Sequence, residues 1–164
     1  MSQQHPSVTA TRSAKIGGSA ARTEPGDVLL VEDSPTDAFM IREILSQLQV
    51  QHRLHVVEDG IEALGFLRRE GAYRDAPRPD LILLDLQLPR KSGREVLTEI
   101  KADESLRLIP VVVLSSSRAD ADIVAAYRGF ANSYVSKPID YDEFAEALRL
   151  IERFWLGLAI RVRE

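Results

Sequence analysis

Short apolar runs alternate with amphipathic stretches from Asp27 onward. A continuous apolar run of about 4–8 residues is typical of a strand that is buried on both faces, as in a parallel sheet. Apolar residues spaced three or four positions apart instead predict helices that bury one side. Strands are predicted at about residues 27–32, 53–57, 81–84, 111–114 and 133–136. Their alternation with five helices predicts a doubly wound α/β sandwich with a five-stranded parallel sheet.

The helix ends carry signals of their own. Pro35 suits the first position of a helix, and Ser34 directly before it is a predicted N-cap. Asp140 is the predicted cap of the last helix. Two prolines within residues 71–79 exclude a helix there, so this stretch is predicted to be a loop.

Polar residues follow three of the predicted strands. Asp85 ends the run at 81–84, Glu32 and Asp33 follow the first strand, and Ser115 follows the fourth. Open α/β sheets bind their ligands at the carboxyl ends of the strands. We therefore expect these side chains to form one site at that edge of the sheet.

Length and composition exclude several classes of protein. A chain of 164 residues, 45% hydrophobic and 28% charged, fits one globular domain. The net charge of −4 argues against binding to nucleic acid through bulk electrostatics. No cysteine is present, which excludes disulfides and thiolate chemistry. The apolar runs are far shorter than the roughly 20 residues that cross a membrane.

Residues 1–26 differ in composition from the rest of the chain. They are rich in Ser, Thr, Ala, Gln and Gly. They lack the apolar stretch of about 7–15 residues that a signal peptide requires. We expect a disordered N-terminal tail and a cytoplasmic protein.

Four motifs together are specific where each alone is weak. They are Glu32-Asp33, the stretch Asp85-Leu86-Gln87-Leu88-Pro89-Arg90-Lys91-Ser92-Gly93, Ser115-Ser116 and Lys137-Pro138. In order and approximate spacing they resemble the signatures of response-regulator receiver domains over residues 27–156. The resemblance implies a flavodoxin-like (βα)5 fold.

The same resemblance implies the chemistry of the site. Asp85 matches the phosphoacceptor, a carboxylate that attacks phosphorus once the charge of the phosphoryl group is neutralised. Mg²⁺ is the implied cofactor, held by Asp33, Asp85 and the backbone carbonyl of Gln87, with Glu32 acting through water. The protein would then catalyse only its own phosphorylation and dephosphorylation.

Four further positions match the family. Lys137 matches the lysine that pairs with the phosphoacceptor, and Pro138 implies a cis bond that turns this lysine inward. Ser115 matches the hydroxyl that contacts the phosphoryl group. Tyr134 matches the aromatic residue that moves with it. Each has a structural alternative, since Ser115 could cap a helix and Tyr134 could be a half-buried strand residue.

The expected partner is a sensor histidine kinase. Too few residues follow Trp155 for an output domain, so we expect a stand-alone receiver that signals through protein contacts. The Phe-Trp-Leu ending and the loop at 70–79 resemble regulators paired with bacterial and cyanobacterial phytochrome kinases. Residues 157–164 are predicted to extend the last helix. Phe154, Trp155 and Leu158 are the candidate interface of a homodimer formed through that helix.

Two other classes of function remain open at this point. A nucleotide- or flavin-binding protein usually has a glycine-rich turn after the first strand, where this chain has Glu32-Asp33-Ser34-Pro35. A small aspartyl-phosphate phosphatase resembling the haloacid-dehalogenase family has a second acid at the position of Gln87. These two form one class, that of a small enzyme. The second class is a scaffold that resembles a receiver but is not phosphorylated.

Overall fold

The computed structural model describes residues 24–48, 50–160 and 162. Within these residues, five strands alternate with five α-helices, as predicted. The strands are β1 (Gly26–Val31), β2 (His52–Val57), β3 (Leu81–Leu84), β4 (Val111–Ser115) and β5 (Ser133–Ser136). The helices are α1 (Pro35–Ser46), α2 (Gly60–Arg68), α3 (Gly93–Ala102), α4 (Asp120–Arg128) and α5 (Tyr141–Glu152). A 3₁₀ turn, Gly71–Tyr73, interrupts the loop after α2.

All strands of the sheet are parallel, in the order β2-β1-β3-β4-β5. This strand order is that of the flavodoxin-like (βα)5 fold, as expected from the sequence. Alternate residues of β1 face opposite sides of the sheet, so Leu29 packs with α2, α3 and α4 while Val28 packs with α1 and α5. Because apolar helices cover both faces, every residue of β1, β3 and β4 is buried.

The predicted helix caps are confirmed. The Ser34 hydroxyl accepts a hydrogen bond from the Asp37 amide at 3.2 Å, and Pro35 is the first residue of α1. Asp140 accepts from the Glu143 amide at 3.0 Å at the start of α5. These caps matter for the site because α1 and α5 both begin at the carboxyl edge of the sheet.

The two ends of the domain differ from the prediction. β1 already begins at Gly26, so the expected tail does not reach that residue. The rest of that tail, residues 1–23, lies outside the described residues. After α5, a π-helix spans Arg153–Leu158 and the backbone becomes extended at Ala159. The predicted helical extension of residues 157–164 is therefore wrong at Ala159 and Ile160, whereas residues 161, 163 and 164 lie outside the described residues. No helix in the described ranges is long and apolar enough to cross a membrane.

Gly93 allows the loop after β3 to fold tightly against the strand end. A Cβ atom at this position would collide with the carbonyl oxygen of Asp85 and would lie 2.7 Å from the Leu86 Cα. The Gly93 amide also donates to the Leu86 carbonyl at 3.0 Å. The tight turn fixes the backbone next to Asp85, so no larger residue fits without moving it.

We predict that Gly93→Ala destabilises the fold. Because the clash is with backbone rather than a flexible side chain, we expect a loss of about 1–3 kcal/mol in the free energy of unfolding. Gly65→Ala is the matched control. It lies inside α2 with only ordinary contact to Tyr73 at 3.5 Å. Alanine should stabilise that helix by about 0.5–1 kcal/mol. Urea denaturation measures both, and equal effects of the two substitutions would contradict the prediction.

Candidate functional site

The carboxyl ends of β1, β3 and β4 meet at one edge of the sheet. Val31 is in register with Leu84, so the residues that follow these two strands are neighbours. Glu32, Asp33 and Asp85 each present a carboxylate oxygen, and these oxygens all lie within 4.8 Å of one another. Glu32 and Asp85 are buried, whereas Asp33 is exposed. The structure thus brings together the acidic residues that the sequence singled out.

Both oxygens of Asp85 have fixed partners. Its Oδ1 accepts from the Gln87 amide at 3.1 Å, which anchors the loop after β3. Its Oδ2 accepts from Lys137 Nζ at 3.1 Å. The Asp85 amide donates to the Val31 carbonyl at 3.0 Å, so the residue is also held by its main chain. Its carboxylate is therefore oriented and only 8% exposed.

Lys137 is the cation of the site. Its Nζ lies 2.5 Å from Glu32 Oε2 and 2.9 Å from Asp37 Oδ2, in addition to the contact with Asp85. Its side chain is only 9% exposed. One buried ammonium group therefore stands among three carboxylates.

Burial and ion pairing have opposite effects on these groups. Burial lowers the pKa of Lys137, but its contacts with Glu32 and Asp37 outweigh this and raise it above the usual value. Burial raises the pKa of Glu32 above its ordinary 4.5, even though Lys137 pulls it down. The ammonium charge is thus firmly held at neutral pH.

The predicted cis bond at Pro138 is wrong in this structure. The described residues contain no cis peptide, so the Lys137–Pro138 bond is trans. An X–Pro bond prefers trans by only about 0.5–1 kcal/mol, so its isomer depends on the surrounding contacts. Here the Lys137 amide donates to the Ser115 carbonyl at 2.8 Å, and its side chain reaches the carboxylates with the bond trans.

Ser115 and Tyr134 both hydrogen-bond to the main chain of Ser117. Ser115 is fully buried, and its hydroxyl accepts from the Ser117 amide at 3.2 Å. The Tyr134 hydroxyl donates to the Ser117 carbonyl at 2.8 Å, while its ring packs against the core formed with α2, α3 and α4. A displacement of Ser115 would therefore move the Ser117 main chain and change the hydrogen bond of the Tyr134 hydroxyl.

Two contributors were not predicted from the sequence. Asp37 contacts Lys137 from the first turn of α1, and its position four residues after Asp33 was the available signal. Arg90 pairs with Asp59 at the start of α2, beside the loop that follows Asp85. No short motif links these two residues, because they are 31 positions apart.

The predicted interface residues lie at the other end of the molecule. Phe154 and Leu158 are 52% and 69% exposed. Trp155 is half-buried against the core formed with α1 and α5, and its ring meets that of Phe154 edge-on at 5.0 Å. Leu156 between them is buried. This end of α5 therefore combines an anchored helix with exposed apolar side chains.

The donor set at the carboxyl edge fits a hard divalent cation. Mg²⁺ and Mn²⁺ prefer carboxylate, carbonyl and water oxygens, and the three clustered acids offer such oxygens. The exposed position of Asp33 leaves room for water on the outer side. Among the described residues, Glu32, Asp33 and Asp85 form the group whose carboxylate oxygens lie close enough together to hold one metal ion.

Comparisons with known proteins identify the family. The model of the response regulator receiver domain matches residues 28–149. The response regulator Rcp1 of Synechocystis sp. is 44% identical over 132 residues, which cover 80% of this chain and 90% of Rcp1.

Two solved structures are similar over 85% of this chain and the whole of theirs. The phosphorylated cyanobacterial phytochrome response regulator RcpA superposes with a TM-score of 0.82 and 45% identity. The Mn²⁺-bound form of Rcp1 gives a TM-score of 0.81 and 42% identity. Fold, site and sequence agree, and the chain therefore belongs to the response regulator receiver family.

Proposed function

We propose that this receiver accepts a phosphoryl group on Asp85 from the phosphohistidine of a sensor kinase. A carboxylate oxygen of Asp85 attacks phosphorus, the P–N bond to the histidine breaks, and an acyl phosphate forms. The observation that carries the proposal is the oriented, nearly buried Asp85 carboxylate beside Lys137 Nζ at 3.1 Å. The second acid that the phosphatase alternative requires two residues after the nucleophile is replaced by Gln87.

Mg²⁺ is the proposed cofactor. Asp33, Asp85 and the Gln87 carbonyl would hold it, and Glu32 would contact it through water. When bound, a divalent cation neutralises charge on the transferring phosphoryl oxygens. Rcp1 has been solved with Mn²⁺, a cation with the same preference for oxygen ligands. The protein itself supplies the nucleophile and a second positive charge, that of Lys137.

The phosphoryl group would meet two side chains of the site. Lys137 is placed to pair with its oxygens as a compact charge. The Ser115 hydroxyl, now an acceptor for the Ser117 amide, would rotate to donate to a phosphoryl oxygen. Since Tyr134 is bound to the Ser117 carbonyl, this rotation would pass the signal toward α4 and β5.

A phytochrome-type histidine kinase is the proposed phosphoryl donor. RcpA is described as a phytochrome response regulator, and it shares 45% identity with this chain. Receivers transmit their state through protein contacts. We assign the exposed apolar end of α5 to one such contact, a homodimer.

The proposed dimer surface is formed by Leu150, Phe154 and Leu158, which are 59%, 52% and 69% exposed. Their spacing of four residues places them on one side of the helical segment. Clustered apolar side chains of this kind are typical of protein interfaces. The buried Leu156 and half-buried Trp155 fix the segment to the domain, so the surface is presented rigidly.

Phosphorylation of Asp85 is directly testable. With acetyl phosphate and MgCl₂, we expect the full chain to gain the mass of one phosphoryl group, while Asp85→Asn does not. EDTA should abolish the gain. Asp75→Asn, an exposed acid in the loop before β3, is the matched control and should react like the wild type. Intact mass spectrometry measures all three, and equal modification of Asp85→Asn would overturn the assignment.

We predict that Lys137→Met destabilises the protein most when divalent cations are absent. Removing one partner of a buried charge cluster costs about 3–5 kcal/mol, because the carboxylates are left without their cation. Mg²⁺ should then raise the thermal midpoint of the variant more than that of the wild type. Lys101→Met is the control. Its Nζ contacts neutral oxygens of Arg107, Ile109 and Asn132, so Mg²⁺ should not restore its stability.

The dimer is tested by point substitution. Truncation before Phe154 would remove the buried Leu156, so it is a poor probe. We expect the double variant Phe154→Ser with Leu158→Ser to be monomeric in sedimentation equilibrium, whereas the wild type is dimeric. Phe39→Ser, which removes an exposed aromatic ring from α1, should leave the dimer intact. A monomeric wild type at all concentrations would contradict this interface.

A further inference from the structure

Arg90 ties the loop between β3 and α3 to the start of α2, where it pairs with Asp59 and, at 4.0 Å, with Glu62. Arg90 Nε donates to Asp59 Oδ2 at 2.7 Å, and Arg90 Nη2 donates to the same oxygen. Asp59 Oδ1 accepts from the amides of Ile61 and Glu62, at 2.8 and 2.9 Å. Asp59 is only 5% exposed. The guanidinium group is therefore bound to a carboxylate that the helix itself holds in place.

The electrostatics of this pair keep both groups charged. Burial raises the pKa of Asp59, but hydrogen bonds from the Glu62 amide and Arg90 outweigh it and lower the pKa below its usual value. The amino end of α2 also favours a negative charge at this position. The contact is thus a charge-assisted hydrogen bond, the stronger kind of polar contact.

The backbone of the loop is held in an unusual conformation. Arg90 has a φ of +62°, a region that residues other than glycine rarely enter. Such a conformation persists only where surrounding contacts fix it. The neighbouring Lys91 packs so closely against Gly60 that a Cβ atom on Gly60 would collide with the Lys91 carbonyl. The tip of the loop is therefore docked on α2.

The same loop carries a proposed metal ligand. Gln87, whose carbonyl is assigned to Mg²⁺, lies three residues before Arg90. At its start the loop is bound to Asp85, and at its end the Gly93 amide is bound to Leu86. The contact between Arg90 and Asp59 fixes the segment between these two points.

We infer that Arg90 is a positioning residue of the phosphorylation site. By binding Asp59, it holds the loop so that the Gln87 carbonyl is already in place for the cation. This inference rests on the proposed function. It also predicts the direction in which the Mg²⁺ affinity changes when Arg90 is replaced. Loss of a positive charge near the site would by itself strengthen cation binding, whereas loss of a positioning contact weakens it.

The test is a MgCl₂ titration of the unphosphorylated full chain, followed by NMR shifts of the amides of residues 85–87. We expect Arg90→Ala to raise the Mg²⁺ dissociation constant about ten-fold, a typical effect of removing a contact behind a metal ligand. Arg90→Lys should fall between this variant and the wild type, because lysine keeps the charge but not the forked donors. Unchanged or tighter Mg²⁺ binding by Arg90→Ala would overturn the inference.

Two further variants separate positioning from other effects. Arg90→Gly removes the ion pair and also relieves the backbone strain, and it should bind Mg²⁺ as weakly as Arg90→Ala. If Arg90→Gly binds Mg²⁺ like the wild type, then the strain and not the ion pair controls the affinity, and the inference is overturned. Arg68→Ala removes an arginine from the last turn of α2, where it pairs with Glu99 at 2.8 Å. It should keep wild-type Mg²⁺ affinity, and an equal loss would also overturn the inference. If the wild-type amides do not respond to MgCl₂, the proposed metal site itself fails.

Discussion

The structure of the site depends on the placement of one ammonium group among three carboxylates. Glu32, Asp37 and Asp85 all contact Lys137 Nζ, and the first of these acids is almost completely buried. Without a cation between them, like charges at this distance would repel one another in a poorly solvated position. Lys137 thus stabilises the fold and at the same time keeps the proposed nucleophile oriented.

Strand register determines why these groups meet at all. In a parallel sheet the carboxyl ends of neighbouring strands share one edge, so acids that follow β1 and β3 become neighbours. The amide of Asp85 donates to Val31, and the amide of Lys137 donates to Ser115. Asp85 and Lys137 therefore each lie one residue beyond a strand and are held by hydrogen bonds to the neighbouring strand.

The predictable parts are those in which local pattern and tertiary structure agree. Apolar runs predicted the strands, and short polar signals predicted the caps at Ser34 and Asp140. The trans bond before Pro138 was not predictable, because the small preference of an X–Pro bond is decided by contacts made elsewhere. The pair of Arg90 with Asp59 was equally hidden. It depends on how the loop between β3 and α3 packs against the start of α2, and no residue spacing in the sequence indicates that contact.

The proposed phosphorylation site and the proposed dimer surface lie at opposite ends of the domain. α5 begins three residues after Pro138, at the edge that carries Asp85. At its other end, Trp155 and Ile160 line a cavity together with Asp27 and Pro110, which belong to the opposite edge of the sheet. A dimer formed through Phe154 and its neighbours would leave the acidic edge free for a kinase. Because α5 packs on α1 and leads directly into the π-helix that carries Phe154, a shift at Lys137 would reach that surface through these two joined segments.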